Sequence, residues 1–108
     1  MTPDGGTTLV GSKAHVMSEN DPINKAEMEA FSKVALPAVR EVGARPSGVN
    51  GGKIVARIGE APKSVTLVGF NSLQQAESYL ESPTLAKLSP QRDKAYKVIR
   101  SYIVEATQ

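Results

Sequence analysis

Between residues 22 and 42 the apolar side chains Ile23, Met28, Phe31, Val34, Ala35, Ala38, Val39 and Val42 recur at spacings of three and four. Lys25, Glu29, Lys33, Arg40 and Glu41 fall between them. That period puts the apolar set on one face of a helix. Asp21 can cap it, Pro22 suits the first helical position, and Gly43 fits a left-handed C-terminal cap. Pro37 lies inside and should kink the helix near residues 33–36.

Ahead of this helix, residues 7–17 read as a strand. One face carries Val10, Ser12, Ala14 and Val16, and the other Leu9, Lys13, His15 and Met17. Residues 45–58 form a second strand region, with a bend at Asn50-Gly51-Gly52. The bend is preferred to a hairpin turn because residues 59–63, with Gly59 and Pro62, then supply the hairpin loop. Residues 64–70 alternate as a third strand. Ser72 followed by Gln75 is a capping box for a second helix through Leu80. Ser82-Pro83 and Ser89-Pro90 each mark a fresh helical start. Residues 97–105, rich in Val and Ile, are the last strand, and residues 106–108 should fray.

The order β-α-β-β-α-β predicts an α+β fold of ferredoxin-like βαββαβ topology: a four-stranded antiparallel sheet with helices on one face. Residues 1–6 read as a flexible leader and 7–108 as a single domain. The uncovered sheet face would expose Val, Leu and Ile side chains. A second copy of the chain is the simplest cover, so the expected partner is the chain itself, as a homodimer.

Composition narrows the chemistry. The 108 residues include no cysteine and one histidine. Thiolate nucleophiles and cysteine-based metal sites are thereby excluded, and the acidic residues are too scattered to suggest another metal centre. No phosphate loop or nucleophile elbow occurs. No cofactor is expected. The net charge of +2 and the scarcity of aromatics on the expected central strands argue against nucleic acid. No apolar run is long enough to span a bilayer and no signal peptide is recognisable, so a cytoplasmic protein without membrane contact is expected.

His15 is the candidate acid or base, because its charge changes near neutral pH; a surface or interface histidine is the plainer account. Tyr79 and Tyr102 are candidate ligand contacts, against the commoner role of a buried tyrosine. Arg57, Arg92 and Arg100 can each grip a carboxylate with a planar fork. Arg100 stands among Val98, Tyr102 and Val104 and must face water, a partner or a ligand. An ion pair between subunits would also account for it.

The chain resembles the small bacterial domain-of-unknown-function family thirteen-thirty, of the dimeric α/β-barrel superfamily, over residues 14–106. Asp21-Pro22, Gly43-Ala44-Arg45, Asn50-Gly51-Gly52, Phe70-Asn71-Ser72-Leu73, Glu81-Ser82-Pro83 and Tyr102-Ile103-Val104-Glu105 carry the resemblance. Two positions depart from it: Asn50 stands where the family has Arg, and Leu85 near where it has Tyr. The resemblance implies a homodimer whose sheets face each other as a barrel. It also implies a pocket, either inside that barrel or between sheet and helices. Sister families include cofactor-independent monooxygenases, cyclases and isomerases, some with a histidine on a barrel-lining strand. The expected function is binding of a small organic molecule, anions included, in an accessory enzyme or a binding protein; a structural or regulatory interaction module is the alternative.

Overall fold

The computed structural model describes residues 11–47 and 52–107. Strand β1 (Ala14–Pro22) leads to helix α1 (Lys25–Glu41), a short strand β2 (Arg45–Pro46) and strand β3 (Ser64–Phe70). Helices α2 (Leu73–Leu80) and α3 (Pro83–Ala95) follow, then strand β4 (Tyr96–Glu105). The sheet order is β2-β3-β1-β4 with every neighbour antiparallel, the ferredoxin-like arrangement.

Alternation along β1 decides which face is covered. Ala14 and Val16 are buried and cluster with Val39 of α1, Ala76 and Tyr79 of α2, and Phe70 of β3. Directly paired residues share a face, and Ala14 pairs with Phe70 while Val16 pairs with Val68 and Ile103. These residues therefore face the helices. His15, Met17 and Glu19 face the other side, beside Gly69, Leu67 and Val65 of β3 and Val104, Tyr102 and Arg100 of β4.

Local signals account for most element ends. The Ser72 hydroxyl accepts from Gln75 N at 3.0 Å. The Gln75 side chain accepts from Asn71 N at 2.6 Å and donates to the Val42 carbonyl at 2.7 Å, tying the start of α2 to the end of α1. Ser82 caps α3 with Pro83 in its first turn. Gly43 takes φ +81°, a left-handed conformation suited to glycine.

Several expectations are corrected. Strand β1 runs on to Pro22 instead of ending at Met17; expected strand residues 7–10 lie outside the described residues. Asp21 and Pro22 do not start the helix. They pair with Lys97 and Tyr96 of β4, and Ile23 N donates to the Ala95 carbonyl at 2.8 Å. The cap is Asn24, whose Oδ1 accepts from Glu27 N at 3.0 Å. A cross-strand ladder unavailable to local reading outcompetes the Asp-Pro signal.

Of the expected second strand, Arg45 and Pro46 pair with β3 among the described residues, and Ser47 N donates to the Leu67 carbonyl at 2.9 Å. The bend at Asn50-Gly51 lies outside the described residues, and residues 52–63 form no strand. Val55 is 68% and Ile58 98% exposed; β propensity gains nothing without a partner strand.

Helix α3 continues through Pro90 rather than restarting there. Ala86 is exposed, so the carbonyl that Pro90 cannot serve is open to water. Helix α1 likewise runs through Pro37. Ala106 is tied down, its N–H donating to the Lys13 carbonyl at 2.8 Å.

Candidate functional site

Helices α1 and α3 span the covered face of the sheet without filling the space beneath them. A cavity of about 430 Å³ lies there. Its walls are mostly apolar, with Phe31, Ala35 and Leu36 from α1, Leu85 and Leu88 from α3, and Tyr79 from α2. Phe31 meets Tyr96 edge-on, with ring centroids 6.3 Å apart.

The floor is polar. Ser18, Asn20, Thr66 and Ser101 line it from three adjacent strands. Ser18 pairs with both Thr66 and Ser101, which sets three hydroxyls in a row across the sheet. The hydroxyls of Ser18 and Ser101 stand 3.1 Å apart. Asn20, two residues on, is 3% exposed. Its Nδ2 donates to the Thr66 hydroxyl at 3.2 Å and to the Ser18 carbonyl at 3.4 Å. Among the described residues no donor reaches Asn20 Oδ1. Leaving such a buried acceptor unserved costs roughly 1–3 kcal/mol. The β1–β4 register shifts between Glu19 and Asn20, an irregularity of the kind that re-aims side chains beside functional sites.

The candidate residues read from the sequence separate into three places. Tyr79 lines the cavity and packs on Phe70 at a centroid distance of 5.7 Å. Burial raises the pKa of its phenol, and among the described residues its hydroxyl has no hydrogen-bond partner. Arg92 also lines the cavity, but its guanidinium holds the neighbouring Asp93 carboxylate at 3.1 Å.

Arg100 and Tyr102 come together on the opposite face of the sheet. Arg100 donates to Glu19 Oε1 at 2.6 Å and Tyr102 donates to Oε2 at 3.0 Å. The charge that alternation left unexplained on β4 is thus met within the same chain. The hydrogen bond from Arg100, then that from Tyr102, holds the Glu19 carboxyl below the usual range. The same carboxylate raises Arg100 and Tyr102.

His15 shares this open face, so any chemistry it performs is separated from the cavity by the sheet. Arg57 lies on the exposed segment before β3, apart from both places. Among the described residues no group of three His, Cys, Asp or Glu side chains could hold a metal ion, and no helix is long and apolar enough to cross a membrane.

The polar floor was missed because the sequence reading ended β1 at Met17. Continuing its alternation would have put Ser18 and Asn20 on the face of Ala14 and Val16, as polar residues pointing at the core.

The sequence matches the family described as Domain of unknown function (DUF1330) over residues 13–107. The chain belongs to the DUF1330 family. No curated protein matches it. Among solved structures, RPA0582 of Rhodopseudomonas palustris, a protein of unknown function, is similar with a TM-score of 0.59 and 12% identity. That match covers 91% of this chain and 85% of the other. A dimeric protein of unknown function and ferredoxin-like fold from Bacteroides fragilis is similar with a TM-score of 0.52 and 17% identity, covering 88% and 96%. At these identities the likeness establishes the fold of this DUF1330 member and nothing about its chemistry.

Proposed function

We propose that this DUF1330 protein is a homodimer in which each protomer takes a small organic molecule into the cavity between its sheet and its helices. The observation that carries the reading is the cavity itself. Its volume of about 430 Å³ falls in the range of roughly 300–1,000 Å³ common to small-molecule sites. Apolar walls over a short row of polar side chains are the usual composition of such sites. A structural or regulatory module would instead fill this space with side chains.

The open face supports self-association. Met17, Leu67 and Val65 lie at its centre and are half-buried within the protomer, while Tyr102 and Val104 are 39% and 48% exposed. The Bacteroides fragilis protein of the same fold is dimeric. Two sheets packed through these faces would make a dimeric α/β barrel, bringing His15, Arg100 and Tyr102 to the interface and leaving both cavities outside it.

Replacing Ala35 by phenylalanine would insert a ring into the cavity from α1. Protein purified from cell extract and examined by native mass spectrometry should carry a small-molecule adduct that Ala35→Phe loses while remaining folded and dimeric. Native protein without adduct, and without response to added apolar compounds, would leave the module reading in its place.

A further inference from the structure

We infer that the ligand of this cavity is neutral at its polar end and donates a hydrogen bond, from a hydroxyl or an amide N–H, to Asn20 Oδ1. The inference rests on the cavity being a small-molecule site and adds the chemical class of its occupant.

The orientation of the Asn20 amide is fixed by its surroundings. Its Nδ2 faces the Ser18 carbonyl at 3.4 Å, an oxygen that can only accept, so the nitrogen and not the oxygen belongs on that side. The second bond, to the Thr66 hydroxyl at 3.2 Å, is compatible with the same placement. With both contacts made by the nitrogen, Oδ1 is left as an acceptor at a residue that is 3% exposed and lines the cavity. Among the described residues no protein donor serves it.

The neighbours of Asn20 define what can approach. The hydroxyls of Ser18, Thr66 and Ser101 each carry a rotatable hydrogen and lone pairs. A ligand hydroxyl can give its hydrogen to Asn20 Oδ1 and accept one from this row. A primary amide can do the same with its N–H and its C=O. A carboxylate would set its lone pairs against Oδ1. Among the described residues Arg92 is the only charged one lining the cavity, and its guanidinium meets Asp93 through Nε at 3.2 Å and through its terminal nitrogen at 3.1 Å. An anionic group would have to compete with Asp93 for this one guanidinium, which favours, and does not exclude, negative charge; the neutral donor is preferred on the orphaned oxygen alone.

Three probes on one ring system separate these cases: 2-naphthol, 2-methoxynaphthalene and 2-naphthoate. Binding is read near neutral pH from the side-chain amide of Asn20 and the backbone amides of Val16 and Thr66 in nitrogen-15 NMR titrations. The naphthol should bind at least about tenfold more tightly than the ether or the carboxylate, the order of a buried acceptor gained or lost. In Asn20→Leu the naphthol and the ether should bind alike, within about a factor of two. The ranking on the native chain needs no variant, so a poorly folded Asn20→Leu leaves the test intact. Naphthoate binding as well as naphthol, or a naphthol preference that survives Asn20→Leu, overturns the inference while leaving the cavity as a binding site. No response to any of the three overturns the cavity reading and the inference together.

Discussion

Replacing Leu67 by lysine tests the proposed dimer at the residue where the sheet geometry is least ambiguous. Leu67 pairs with Met17, and Met17 pairs on its other side with Tyr102, so the three side chains cross the open face as one row. In a two-fold dimer each substitution acts twice. Fully burying a leucine side chain contributes about 1.5–3 kcal/mol. Leu67 is already half-buried in the protomer, so about half of that is gained at the interface, and the dimer would lose about 1.5–3 kcal/mol, or roughly tenfold to a hundredfold in dissociation constant. A lysine charge set among apolar partners adds to that loss. Val68 is the control. It is the next residue, but it pairs with Val16 and packs against the core under the helices. Val68→Ala should lower folding stability by roughly 1.5–3 kcal/mol and leave association unchanged. Sedimentation velocity over a concentration series, with circular dichroism to verify folding, reads both effects. The reasoning fails if the native chain sediments as one polypeptide at micromolar concentration, or if Leu67→Lys dimerises within about threefold of it.

Two further outcomes follow from the packing and from the open-face cluster. Phe70 is fully buried and in ring contact with Tyr79, so Phe70→Ala should cost about 3–5 kcal/mol and lower the melting temperature by more than about 10 °C in calorimetry. Glu19 has a lowered pKa in the folded chain, so its contribution is present above the ordinary carboxylate range and lost as pH falls through the folded value. Tyr102 is raised, so its contribution is present below the ordinary phenol value of about 10 and lost as pH climbs through the folded one. Urea unfolding across pH should therefore show an acid limb flattened by Glu19→Gln and an alkaline limb flattened by Tyr102→Phe; unchanged limbs would mean the carboxylate is not held by this cluster.

The elements that could be read from the sequence are those whose causes are local. Strand β3 has its predicted bounds because an alternating run lies between a lysine-ended loop and an Asn-Ser cap. Ser72, Ser82 and Gly43 act within a few residues of their own positions. The elements misjudged depend on residues far along the chain. Asp21-Pro22 is a sound helix start until β4 offers Tyr96 and Lys97 as partners. Residues 52–58 have strand-forming side chains but no strand to join. Pro90 should end a helix, yet α3 packs along α1 and its unserved carbonyl opens to water.

The site was hidden by the same cause. Chemistry was sought in His15, Arg100 and Tyr102, because charged or titratable residues on an apolar strand draw notice. Two of these prove to be tied to Glu19 on the open face. The quieter departure lies on the covered face, where Ser18, Asn20, Thr66 and Ser101 occupy positions that a plain core would give to valine or leucine. Ser18 stands opposite both Thr66 and Ser101, and Asn20 donates to Thr66, so the four substitutions of polar for apolar form one patch across three strands. Asn20 is buried and Ser18 and Thr66 are half-buried, while Ser101 is exposed. At the buried end of the patch, Asn20 above all, packing alone would gain from an apolar residue, because buried polar groups stabilise little when paired and cost when not. That the patch floors an unfilled cavity, and leaves one amide oxygen without a donor from the described chain, is what the binding of a complementary molecule would explain and what packing alone does not.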